Sequence, residues 1–266
     1  MFTFPLLPVF SRLSGLIMTE ADVAEKTFHA FTSLHLAVVL VCLLGCFLTV
    51  RAGLLLRREP DAERFFRRLL AAGMTLFFLW YIPYELRPSA FRLDYSLPLQ
   101  FCDFAWIPCA VALWTGGKRA QTLAYFWGLV LSSQGLIQPV ITDGPTTVHF
   151  WTFFTAHYLM VSSGIYLVIV NRYRPRFSSY IFAVSVTFLI TACLFIFNIV
   201  FHTNYAYVGN SKPETPTLLD LLGPWPLRAL YVTLLGVVVF FLVYIPWPLA
   251  SFLRKRFRQR FGKKPA

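Results

Sequence analysis

Of the five cysteines and five histidines in this 266-residue chain, Cys102 and His157 are our candidates for nucleophilic catalysis, which requires these two residue types. A cysteine thiolate attacks a carbonyl carbon, and an imidazole at hydrogen-bonding distance accepts the thiol proton. Cys102 precedes Asp103 in the stretch LPLQFCDFAW, and His157 lies in FFTAHYLM. Each also has an ordinary alternative, because a cysteine in apolar surroundings most often packs and a histidine often hydrogen-bonds between helices. The two residues can act together only if the secondary-structure elements that carry them bring their side chains close to each other.

Those elements are predicted to be membrane-spanning helices. The chain is 57% hydrophobic and 18% aromatic, with only 14% charged residues. Apolar runs of about 17 to 25 residues recur, the length that a helix needs to cross a bilayer. We expect an all-α, polytopic membrane helix bundle of about seven transmembrane helices, the second being the shortest because Pro83 and Pro88 close it early. The predicted spans are 31–50, 69–84, 97–114, 122–141, 151–170, 178–201 and 227–249.

The basic residues of the chain predict its orientation. Lys and Arg number 24 against 12 Asp and Glu, and most of them follow the first, third, fifth and seventh spans. By the positive-inside rule, the amino terminus is predicted to be outside and the carboxyl terminus cytoplasmic. We interpret the cations as topology determinants and contacts for anionic headgroups. Nucleic acid is not predicted as a partner, and the oligomeric state is left open.

The chain divides into three predicted parts. Residues 1–30 form an N-terminal segment, and translation from Met18 would make the residues before it non-native. Residues 31–250 form the seven-helix transmembrane domain, and 251–266 form a basic cytoplasmic tail. The five cysteines all fall within spans, which argues against a disulfide framework. Cys42 and Cys46 lack the further ligands of a zinc site, so neither a metal nor another cofactor is expected.

Polar side chains within four spans share a depth in the predicted outer leaflet. At 1.5 Å of rise per residue, they lie about 5 to 10 Å below the outer ends of their spans. Such residues usually face the interior of a bundle. The amides are candidate donors to an oxyanion, and the acid is a candidate to orient the histidine or to hold a loop. This polar layer comprises Cys102, Asp103, Gln134, Gln138, His157 and Asn198.

A long external connection follows the sixth span, and it is predicted to pack over the outer mouth of the bundle. Its sequence NYAYVGNSKPETPTLLDLLGPWP begins with turn-forming residues and ends in an apolar stretch. Tyr205, Tyr207 and Trp225 fit an interfacial aromatic belt, with substrate contact as the alternative.

These motifs occur in the order found in a known group of proteins. From about the second to the seventh span, the chain resembles the YwaF-like bacterial membrane proteins, whose animal relatives are the transmembrane protein 164 phospholipid acyltransferases. The resemblance implies that Cys102 and His157 are catalytic and that a fatty acyl chain moves between phospholipids through an acyl-cysteine. It also implies a location in the bacterial cytoplasmic membrane. It implies supporting or substrate-binding roles for residues of the loop motif: Asn204, Tyr205, Tyr207, Asp220 and Trp225.

The leading hypothesis is therefore a membrane-embedded phospholipid acyltransferase, with membrane phospholipids and lysophospholipids as partners. A lipid hydrolase with the same Cys-His mechanism is one alternative. A transporter for small solutes or lipids is another, because polar residues on several helices also build translocation sites. In a membrane scaffold, the polar layer would only fix helix packing. The sequence does not predict the acyl donor or the acceptor.

Overall fold

A computed structural model of the chain describes residues 27–89, 91–210 and 218–261. Within these ranges the chain is helical and contains no β-strand, which confirms the all-α prediction. The suggested start at Met18 and the last residues of the basic tail lie outside the described residues. The helices are α1 Ser33–Leu56, α2 Pro60–Glu85, α3 Phe101–Thr115, α4 Lys118–Leu123, α5 Ser132–Ile137, α6 Val148–Ile169, α7 Phe177–Phe201, α8 Leu227–Tyr244 and α9 Pro246–Phe261.

The lengths and surfaces of these helices are those of an integral membrane protein. Among the described residues, five apolar helices are long enough to cross a bilayer: α1, α2, α6, α7 and the run Leu227–Phe257. The helix α3 is apolar but shorter. Leu36, Val41 and Phe47 of α1 are each more than half exposed, and an apolar surface of this kind is stable against lipid. The number of spans and their orientation stay predictions.

The second helix is longer than the sequence predicts. Its 26 residues run through charges that we expected to precede the span. Two of these charged side chains have partners within the bundle: Glu63 pairs with Arg67 at 3.4 Å and accepts a hydrogen bond from the Tyr166 hydroxyl at 3.0 Å. The guanidinium of Arg67 also donates to the Leu113 carbonyl. Because these partners come from α3 and α6, the span's true beginning is not visible in the local sequence.

Small residues allow the helices to pack closely. The ring of Tyr166 lies directly against Gly53 of α1, and Leu129 lies against Gly164 of α6. Close backbone approach at such residues is the usual source of helix association in lipid, where the hydrophobic effect between helices is absent. The bundle is therefore sensitive to added volume at these positions.

We expect Gly53→Ala to lower the stability of the purified protein by about 1 to 3 kcal/mol, because its methyl group would overlap with the Tyr166 ring. Gly73→Ala is the matched control, since no atom lies within 4 Å of the added carbon. Unfolding in detergent, followed by circular dichroism against denaturant concentration, measures both variants. Equal stability of the two variants would contradict the close packing.

Candidate functional site

A cavity of about 440 Å³ lies among α2, α3, α5, α6, α7 and α8. Most of its wall is apolar, and its polar residues come from separate elements of the fold. The structure brings these six of the sequence-predicted residues to its wall: Cys102, Asp103, Gln134, Gln138, Tyr207 and His157. Asn198, Asn204, Tyr205 and Trp225 do not line it, and the Asp220 side chain lies outside the described residues.

Cys102 occupies the first turn of α3, because the helix begins at Phe101 rather than at Leu97. Gln100 is the N-cap residue, with an extended backbone. Its N–H donates to the carboxylate of Asp103 at 2.8 Å, which is the returning bond of a capping box. Asp103 therefore caps the N-terminus of the helix that carries Cys102.

The side chain of Gln100 ties this helix start to the loop that follows α7. Its Oε1 accepts a hydrogen bond from the Ala206 N–H at 2.9 Å. The hydroxyl of Tyr205 accepts from the Leu97 N–H at 3.1 Å and donates to the Leu93 carbonyl at 2.8 Å. Burial raises the pKa of Tyr205 to about 12, so the hydroxyl keeps its proton and remains a donor. The position of Cys102 is thus set by a distant segment of the chain.

Asn198 supports that segment from the last turns of α7. Its Nδ2 donates to the Tyr205 carbonyl at 2.9 Å. Its Oδ1 accepts from the Tyr205 N–H at 2.9 Å and from the Thr203 hydroxyl at 2.7 Å. Asn204 and Trp225 bond the same loop, through the Gly209 N–H at 2.9 Å and the Val208 carbonyl at 3.3 Å. These three side chains brace the loop instead of facing the cavity.

His157 presents one free ring nitrogen. Its Nδ1 lies 2.7 Å from the Phe153 carbonyl oxygen, which only accepts, so in the neutral ring Nδ1 carries the proton. Nε2 then holds a lone pair, and it has no hydrogen bond among the residues that the structure describes. The imidazole is buried and lies directly against Gly135, where any side chain would overlap with it. This arrangement suits a general base.

The relative depth of Cys102 and His157 follows from two contacts between α3 and α6. The Tyr95 hydroxyl, just before α3, lies 2.8 Å from Nε2 of His149 in the first turn of α6, so both helices start at the same end. Deeper in the bundle, the Cys109 sulfur lies 3.9 Å from the Met160 carbonyl. Cys102 is about 10.5 Å and His157 about 4.5 Å from this contact along their helices. The offset of about 6 Å is roughly one helical turn.

A π-helical segment, Ala124–Leu131, separates α4 from α5 and was not predicted. Gly128 within it lies against the Cys109 sulfur and the Met160 carbonyl, so this wide turn packs closely on both neighbouring helices. The Ser132 hydroxyl donates to the Trp127 carbonyl at 3.1 Å, five residues back. Such insertions are frequent at functional sites, and this one sets the direction of Gln134 and Gly135.

Sequence reasoning missed three features of the site. Gln100 stands three residues before Asp103, the capping-box spacing, which is a signal that the sequence does contain. Gly135 carries no such signal. At the rim, His149 joins Tyr95 to Asp143, whose carboxylate lies 2.7 Å from Nδ1. No three His, Cys, Asp or Glu side chains are grouped to hold a metal ion in the part of the chain that the structure describes.

Taken together, these features define a polytopic helical membrane protein with a partly polar cavity near one end of the bundle. Residues 27–244 match the TMEM164 family, and the chain therefore belongs to that family. No curated protein and no solved structure matches it.

We expect Gly135→Ala to destabilise the protein, because the added methyl group would overlap with the His157 ring. His157→Ala removes the ring and should make room for that methyl group. The two losses in the free energy of unfolding should therefore not add up. The double variant should be more stable than their sum predicts, by about 0.5 to 3 kcal/mol. Strict additivity in this double-mutant cycle would contradict the contact.

Proposed function

We propose that this protein is a membrane-embedded phospholipid acyltransferase that works through an acyl-cysteine at Cys102, with His157 as the base. The observation that carries the proposal is the shared cavity: a thiol and an imidazole with a free Nε2 line one otherwise largely apolar space. Membership of the TMEM164 family agrees with a membrane protein.

The reaction has two steps that balance. In the first, Cys102 Sγ attacks an ester carbonyl of a phospholipid while its proton passes to Nε2 of His157. The ester C–O bond breaks, and the leaving oxygen takes the proton from His157, which yields a lysophospholipid and a thioester. In the second, the hydroxyl of a lysophospholipid gives its proton to Nε2 and attacks the thioester. The sulfur leaves and recovers the proton, so both residues return to their starting state.

The oxyanion of each step has candidate donors in the same wall. Gln134 and Gln138 come from α5 and its end, and both line the cavity. The N–H groups of Phe101 and Cys102, the first two of α3, have no acceptor within the helix, and a helix N-terminus favours negative charge nearby. Donors fixed before the reaction stabilise a developing charge strongly where water is excluded.

The apolar part of the cavity suits a fatty acyl chain. It extends between α7 and α8, where Val184, Phe188, Val232 and Leu235 contribute to its wall. An acyl chain that fills this space displaces water from the thioester, which favours transfer to a lysolipid hydroxyl over hydrolysis. By the positive-inside rule, the polar wall lies toward the outer leaflet.

Intact-mass spectrometry tests the acyl-enzyme. Wild-type protein incubated with a defined phosphatidylcholine or phosphatidylglycerol should gain the mass of one acyl group less one hydrogen atom. Cys102→Ser should lose this thioester adduct, and His157→Ala should slow its formation by 100-fold or more, the usual contribution of a general base. Adding a lysophospholipid should discharge the adduct and yield a new diacyl lipid.

Cys109→Ala is the matched control, because Cys109 lies on the same helix but does not line the cavity. It should keep the adduct. Absence of an adduct in folded wild-type protein across several headgroups and chain lengths would overturn the proposal. An adduct that Cys102→Ser retains would also overturn it.

Gly236 offers a test of the acyl-chain region. It lines the cavity, and a carbon added to it meets no atom within 4 Å. Gly236→Leu should therefore fold and shorten the space for the chain. Because each buried methylene contributes about 0.8 kcal/mol, long chains should lose rate relative to short ones by about fourfold per excluded carbon.

The measurement is the competition between a short-chain and a long-chain donor in the same reaction. Gly73→Leu adds the same volume at an open position outside the cavity and should leave the chain preference unchanged. Unchanged selectivity in Gly236→Leu would mean that the chain binds elsewhere.

A further inference from the structure

A second concave surface lies at the opposite end of the bundle from the polar wall of the cavity. The helix α6 begins beside the cavity rim at His149 and ends just before this surface, about 30 Å away along its axis. We call it the basic groove. Its volume is about 630 Å³, and its described lining residues include Arg174, Arg176, Phe177, Tyr244, Trp247, Arg254 and Lys255.

The charge of the basic groove has one sign. Four cations line it, and no acidic residue is among its described lining residues. Two of the cations come from the connection between α6 and α7, and two from α9, so they face one another across the groove. All four side chains are exposed. A concave surface lined by positive charges produces a positive electrostatic potential, which attracts a phosphate group.

One wall of the basic groove is fixed in position before any ligand binds. The Arg174 guanidinium lies 4.6 Å from the centre of the Trp247 ring and donates to the Val168 carbonyl at 2.9 Å. Nε1 of Trp247 in turn donates to the Tyr125 hydroxyl at 2.9 Å. A cation held in this way loses little side-chain entropy on binding an anion.

The surroundings of the groove point to a lipid as the source of the phosphate. Leu249, Phe252 and Leu253 on α9 are each about half exposed, directly beside the basic residues. Tyr244 and Trp247 are the residue types that mark a membrane interface. An amphiphile with its phosphate in the groove can therefore lay its chains against apolar side chains of the same helix.

We propose that the basic groove binds the phosphate of an anionic phospholipid headgroup in the leaflet opposite to the cavity mouth. The phosphate contacts Arg174 and Arg176 on one wall and Arg254 and Lys255 on the other. The proposal does not depend on the chemistry of Cys102. One wall of the groove, on α9, also lies beyond the family match, which ends at residue 244.

Native mass spectrometry of the full chain in a neutral detergent tests this site, because the detergent has no surface charge of its own. Wild-type protein should retain one phosphatidylglycerol and bind phosphatidylcholine at least tenfold more weakly. The double variant Arg254→Gln/Lys255→Gln should weaken phosphatidylglycerol binding by about tenfold or more, as expected for two cations near a headgroup. Arg176→Gln, on the other wall, should weaken it by about fivefold.

The matched control is Lys118→Gln/Arg119→Gln, which removes the same charge at the same end of the bundle but outside the groove. It should change phosphatidylglycerol binding less than twofold. Equal loss in the control and the groove variants would reduce the binding to general surface charge and overturn the site. Competition by soluble glycerol phosphate at the same concentration as the lipid would identify a free phosphate site and overturn the lipid assignment.

Discussion

The amide of Asn198 has a donor and an acceptor in an apolar interior, and both are satisfied by the loop that follows its own helix. A polar group without a partner is costly in such surroundings, so loop and helix end are held together. Two hydrogen bonds then connect this loop to the start of α3, one between Tyr205 and Leu97 and one between Ala206 and Gln100. The polar wall of the cavity is thus positioned partly by Asn198 and Tyr205, which do not themselves line it.

The polar layer that the sequence predicts at one depth therefore contains two kinds of residue. Cys102 and Gln134 face the cavity, whereas Asn198 faces the loop that it supports. The sequence predicts depth from the positions of the apolar runs, but rotation about each helix axis decides which neighbour a side chain contacts. Asp103 illustrates the difference: its depth suggested chemistry or a loop contact, and its carboxylate caps the helix beside Cys102.

The helical class and the approximate positions of the helices were predictable because apolar runs of sufficient length have few stable alternatives in lipid. The length of α2 was not, since Glu63 and Arg67 are stabilised by side-chain and backbone groups far away in the sequence. The contact between Gly135 and His157 could not be predicted either. A glycine indicates that a neighbour packs closely, but the sequence does not say which residue that neighbour is.

The π-helical segment has a consequence for how this fold tolerates changes in length. A wide turn holds one residue more than regular helix would use over the same rise, and each residue of an α-helix turns the chain by about 100°. Loss of that extra residue from Ala124–Leu131 would restore regular winding over the same rise and leave the residues that follow in place. Loss of one residue from a regular stretch of α-helix before Gln134 would instead turn that side chain by about 100°, away from the cavity, with its identity unchanged. The composition of this wall is therefore encoded partly in spacing, and the π-helical segment is the place where this helix can lose a residue without changing the wall.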